Sequence, residues 1–67
     1  MKDINTNDFE AKFINESGSE YVKVTVKSEE FAKAINKHCG DSSFTKTGME
    51  LYLGTETFNE IIEIFKK

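Results

Sequence analysis

Val22-Lys23-Val24-Thr25-Val26-Lys27-Ser28-Glu29-Glu30-Phe31-Ala32-Lys33-Ala34-Ile35 is matched, 27 residues further on, by Met49-Glu50-Leu51-Tyr52-Leu53-Gly54-Thr55-Glu56-Thr57-Phe58-Asn59-Glu60-Ile61-Ile62. Apolar residues coincide at 22/49, 24/51, 26/53, 31/58, 34/61 and 35/62, while Ser28 falls on Thr55 and Glu29 on Glu56. Such self-similarity bears on the whole fold, because each copy then forms one supersecondary unit. Within each copy the period changes. Val22, Val24 and Val26 alternate with Lys23, Thr25 and Lys27, and Met49, Leu51 and Leu53 alternate with Glu50 and Tyr52, which is the two-residue period of a half-buried strand. After Ser28 and Thr55 the spacing becomes helical, giving the stripes Phe31, Ala34, Ile35, His38 and Phe58, Ile61, Ile62, Phe65. Ser28 and Thr55 are suited to N-capping, since a hydroxyl accepts from an orphan N–H of the first turn. Glu29, Glu30 and Glu56 complement the positive end of the helix dipole, and Lys66 and Lys67 the negative end. Gly40 stands where a left-handed residue would close the first helix.

Outward from these units, Ser43–Thr47 followed by Gly48 reads as a strand turning tightly into Met49–Leu53. By analogy, Phe9–Ile14 reads as a strand joined to Tyr21–Lys27 through residues 15–20, with Gly18 in the loop. A short helix is the rival for residues 9–16: Phe9 and Phe13 also sit four apart, and Glu, Ala and Lys favour helix. The alternation of Phe9, Ala11 and Phe13 with Glu10 and Lys12 favours the strand. The predicted fold is therefore α+β, a two-layer β-β-α-β-β-α sandwich with a four-stranded, mainly antiparallel sheet and two helices on one face. It comprises a polar N-terminal arm (1–8) and a single domain (9–67) of two pseudo-repeats, 9–40 and 41–67. The expected sheet core is Phe9, Ala11, Phe13, Val22, Val24, Val26, Phe44, Met49, Leu51 and Leu53.

Sixty-seven residues support one domain. A chain near this size buries only about 60% of its unfolded surface, and dimerisation is an ordinary remedy, so a homodimer is one expectation. Nine lysines face twelve carboxylates, for a net charge of −3, and Arg, Gln, Pro and Trp are absent. The sign disfavours a strongly basic nucleic-acid binder, and the small magnitude disfavours a DNA mimic. One cysteine excludes an internal disulfide and suits a reducing compartment. No apolar run approaches the roughly 20 residues of a membrane span. Residues 1–8 lack the apolar stretch of a secretory signal, which makes a cytoplasmic location the expectation. Abundant Lys, Asn, Ile and Glu, with no Arg, Pro or Gln, suggest AT-rich coding in a bacterium or its phage.

His38 and Cys39 are the classical catalytic residue types here. Neighbours on a helix point about 100° apart, so the two do not face each other as base and nucleophile. A thiol at a helix C-terminus also sits at the wrong dipole end for a thiolate. His38 is expected at the core edge, hydrogen-bonded by Asp41, and Cys39 as a small half-buried residue. One His and one Cys do not make a zinc site, no calcium-loop pattern occurs, and the four glycines fall at turns, so neither metal nor cofactor is expected. Glu56, Glu60 and Glu63, at i, i+4 and i+7, form a solvated acidic stripe suited to a basic partner surface. Ile64 widens the apolar face of that helix, and Tyr52 stands on the solvated sheet face with Glu10, Lys12, Lys23, Thr25, Lys27 and Glu50, with Tyr21 near the strand end.

The stretch from His38 through Phe44 and Gly48 to Gly54-Thr55 and Ile61-Ile62 resembles, over less than half the chain, the small double-stranded-RNA-binding-like toxins of toxin–antitoxin pairs. That resemblance implies a ribonuclease with a catalytic His before a strand. The basic surface of those toxins is missing here, so no catalytic role is carried over to His38. The sequence is read instead as a non-enzymatic, protein-binding module using Tyr52, Glu56, Glu60, Glu63 and Ile64. Its sharper form is a phage or mobile-element inhibitor of a host defence or nucleic-acid-processing protein. The alternative is a weak single-stranded nucleic-acid binder using the sheet face around Lys23, Lys27 and Tyr52.

Overall fold

The computed structural model describes residues 3–40 and 45–66. Six elements succeed one another: β1 (Ile4–Asn5), β2 (Phe9–Glu16), β3 (Ser19–Val26), α1 (Glu29–Cys39), β4 (Glu50–Leu53) and α2 (Thr55–Lys66). The strands form one antiparallel sheet in the order β1-β2-β3-β4, giving an α+β fold with two helices.

The β2–β3 hairpin is the frame. It pairs along its whole length, from Phe9↔Val26 to Glu16↔Ser19, so residues 9–16 are strand and the helical alternative is set aside. The loop is shorter than the expected 15–20. It is Ser17-Gly18 alone, with φ of 51° and 82°, the double left-handed pattern of a type I′ turn whose twist matches the flanking strands.

The element order differs from β-β-α-β-β-α. The additional strand is β1, from within the expected polar arm, where Ile4 pairs with Ala11 and Asn5 with Glu10. Of the strand expected over Ser43–Thr47, and of the core position expected for Phe44, residues 41–44 lie outside the described residues. Thr45–Thr47 is not strand. The cause is Asn36, buried on α1. Its side-chain amide accepts from the Thr45 N–H at 2.8 Å and donates to the Thr45 carbonyl at 3.2 Å, so both backbone groups of Thr45 are occupied. The chain then turns through Lys46–Met49, with the Met49 N–H donating to the Lys46 carbonyl at 3.2 Å and Gly48 at φ 95°. Gly48 also donates to the Val26 carbonyl at 2.7 Å while the Val26 N–H donates to Met49 at 2.9 Å, so two residues oppose one and a bulge opens β4.

Ser28 caps α1 as expected, its Oγ accepting from the Phe31 N–H at 3.2 Å, and Gly40 closes it with φ 78°. Thr55 does not cap α2. Only Gly54 separates β4 from the helix, and the Gly54 carbonyl accepts from the Phe58 N–H at 2.9 Å, so Gly54 takes the cap position and Thr55 becomes the first helical residue.

The core lies between sheet and helices. Phe9, Ala11, Val22, Val24 and Val26 meet Phe31, Ala34, Ile35, Phe58 and Ile61, with Phe13, Leu51, Leu53, Ile62, Ile64 and Phe65 partly buried around them. Phe9 stacks on Phe31 at 4.4 Å between centroids and meets Phe58 edge-on at 5.9 Å; Phe13 meets Phe58 edge-on at 5.6 Å and Phe31 meets Phe65 at 5.3 Å. Offset and edge-on pairs of this kind add about 0.5–1.5 kcal/mol each beyond area burial. No helix among the described residues is long and apolar enough to cross a membrane.

Candidate functional site

α2 buries Phe58 and Ile61 and turns Glu56, Glu60 and Glu63 to solvent. Spacing of four and three residues aligns the three carboxylates along one face, opposite the core-facing stripe. Glu60 alone of the three has an ionic partner among the described residues: its Oε1 lies 2.8 Å from His38 Nε2, with side chains 65% and 27% exposed. The expected partner of His38, Asp41, falls outside the described residues. His38 thus ties the last turn of α1 to the middle of α2, at the margin of the acidic face. Ile64 is partly buried and faces α1, in a shallow depression with Ala34, Lys37 and Phe65.

Tyr52 belongs to a different surface. In β4 it alternates with Leu51 and Leu53, which pack on the core, so it projects from the sheet face away from the helices. It is 66% exposed. The structure therefore divides the five candidate residues: Glu56, Glu60, Glu63 and Ile64 sit in the helix layer, Tyr52 on the outer sheet.

The outer sheet carries its own cluster. Lys23 stands opposite both Lys12 and Tyr52, Thr25 opposite Glu10 and Glu50, and Ile14 opposite Tyr21. Tyr21 and Tyr52 meet edge-on at 5.8 Å. Sequence reasoning missed Ile14 here; its even number, shared with Glu10 and Lys12, carried the signal. Two of the three lysines of this face are already engaged. Lys23 Nζ is 3.6 Å from Glu50 Oε2, and Lys27 Nζ donates to Asn5 Oδ1 at 2.7 Å.

Cys39 is exposed rather than half-buried, because the last residue of α1 turns to the solvent side. Among the described residues, no three His, Cys, Asp or Glu side chains gather in a way that could hold a metal ion. The largely apolar cleft lies between β1 and α2, about 380 Å³, lined by Ile4, Phe13, Phe58, Ile62 and Phe65 with Asp8 and Lys66 at its rim. Comparison with protein-family models, with curated proteins and with solved structures returns no match.

Proposed function

We propose that the chain is a non-enzymatic, cytoplasmic protein-binding module whose α2 carboxylate row docks on a basic surface of another protein. The observation that carries this reading is the alignment of Glu56, Glu60 and Glu63 on the exposed side of a helix whose other side is core. Such a row raises encounter rates and selects partners of opposite sign. A basic docking surface is characteristic of proteins that handle nucleic acid. With the phage-like composition, the sharper proposal is an inhibitor of a host defence or nucleic-acid-processing protein.

The two strand–helix units support a division of labour if they are taken as a pseudo-repeat, 9–40 and 41–67. The positions of α1 that correspond to Glu56, Glu60 and Glu63 are Glu29, Lys33 and Asn36. Asn36 is buried and holds Thr45, so that position serves the fold in the first unit, whereas its counterpart Glu63 is exposed in the second.

The test is capture from a lysate of the source organism with nuclease present, followed by salt elution. A protein retained by the acidic row leaves as salt rises and is not retained by the Glu56→Ala/Glu60→Ala/Glu63→Ala variant. The second reading, single-strand binding on the outer sheet, rests on the Tyr21–Tyr52 pair beside Lys12 and Lys23. It requires single strands to bind at low salt with a steep loss as salt rises.

A further inference from the structure

The two edges of the sheet are finished differently. On one side, β1 is only two residues long, Asn5 Oδ1 accepts from Lys27, and beyond β1 the Asp3 carboxylate accepts from the Phe13 N–H at 3.3 Å. Short length and side chains laid on backbone donors are devices that blunt an edge against pairing. On the other side, β4 runs for four residues, and among the described residues no side chain caps it.

The phase of the ladder shows which groups that edge presents. Val26 exchanges bonds with the Gly48–Met49 bulge, so Val26 faces β4 with both backbone groups. Antiparallel alternation then turns Leu51 and Leu53 toward β3 and leaves the N–H and C=O of Glu50 and Tyr52 directed outward. Around them the side chains are incompletely covered: Leu51 and Leu53 are partly buried against the core, Met49 is partly buried with its sulfur accepting from the Lys46 N–H at 3.3 Å, and Tyr52 is exposed on the other face.

We infer that β4 pairs antiparallel with β4 of a second copy about a two-fold axis at Leu51, fusing two four-stranded sheets into one of eight strands. One register satisfies every requirement together. Glu50 opposite Tyr52 of the second copy, and the reciprocal pair, use all four outward backbone groups of each chain. The same register sets Leu51 against its own counterpart and Met49 against Leu53, so each apolar residue of the edge stands opposite an apolar one. Glu50 arrives with its carboxylate beside Lys23, and Tyr52 lies over it on the outer face. This self-match of pattern and bonding phase selects a second copy as the occupant, and a two-fold interface is isologous in this way. The inference uses none of Glu56, Glu60 and Glu63, so it stands or falls apart from the proposed docking surface.

The experiment is sedimentation or light scattering of the full chain over a wide concentration range, with amide hydrogen exchange read residue by residue. The expected mass is twice the 7.6 kDa of one chain. The Glu50 and Tyr52 amides are expected to gain roughly tenfold or more protection as concentration rises through the dimerisation range. Tyr52→Pro removes one outward N–H and no bond to β3, and edge strands tolerate proline there; it is expected to give a folded monomer. A mass of one chain at every concentration overturns the inference. So does a dimer whose Glu50 and Tyr52 amides exchange as fast as on dilution, or a folded Tyr52→Pro variant that still dimerises. If Tyr52→Pro does not fold, the wild-type amide exchange decides.

Discussion

At Ser17 the chain adopts φ 51°, a left-handed backbone that costs an L-residue about 1–2 kcal/mol. Asn and Gly bear that conformation better, and Asn-Gly is the preferred pair for this turn. Ser17→Asn is therefore expected to stabilise the fold by about 0.5–1 kcal/mol, a rise in melting temperature of several degrees by calorimetry for a domain of this size. Gly48 is the opposite case: at φ 95° a Cβ meets no neighbouring atom, yet the backbone itself is strained for any other residue. Gly48→Ala is expected to cost about 1–2 kcal/mol in urea titration. Asn36 exchanges two hydrogen bonds with Thr45 in a buried setting, much as a neighbouring strand would. Asn36→Ala leaves the N–H and C=O of Thr45 without those partners, and the expected loss is about 2–4 kcal/mol. Asn36→Asp, which keeps the acceptor and removes the donor, is expected to fail as well.

At the scale of elements, the alternation of Phe9, Ala11 and Phe13 with Glu10 and Lys12 foretells β2, and the change from period two to a helical spacing foretells β3–α1 and β4–α2. The Ser28 and Gly40 caps were legible for the same reason: each is a local bond with a residue-specific donor or acceptor. β1 was not legible, because two residues hold no period and its place depends on Ala11 and Glu10 across the sheet. Thr45–Thr47 misled because its composition suits a strand, whereas a long-range partner on α1 claims its backbone. Thr55 misled by one residue because the connection after β4 is shorter than that after β3. Of the candidate site, the exposure of the Glu56–Glu63 row followed directly from helical spacing. The separation of Tyr52 from it was legible too, because the two-residue alternation with Leu51 and Leu53 places Tyr52 on the solvated sheet face, away from the helix layer. Among core elements, Phe31 is fully buried and packs on Phe9 and Phe65, so Phe31→Ala is expected to cost about 3–5 kcal/mol and to leave the chain largely unfolded at room temperature by circular dichroism.

For the molecule as a whole, the core and the acidic row occupy opposite sides of one helix, which separates stability from recognition. Removing the Glu56 and Glu63 carboxylates is expected to change stability by only about 0.5 kcal/mol, while Glu60→Ala also releases His38, so a loss of partner binding reports on the surface when the triple variant melts with the wild-type chain. The decisive measurement is capture from the source organism's lysate with the wild-type chain and with Glu56→Ala/Glu60→Ala/Glu63→Ala in parallel, each with and without nuclease, read by mass spectrometry. A single stoichiometric protein retained through nuclease treatment by the wild-type chain, and missing from the triple variant, is the predicted result. Equal recovery by both chains, or recovery only of nucleic-acid-associated proteins that nuclease removes, would contradict it.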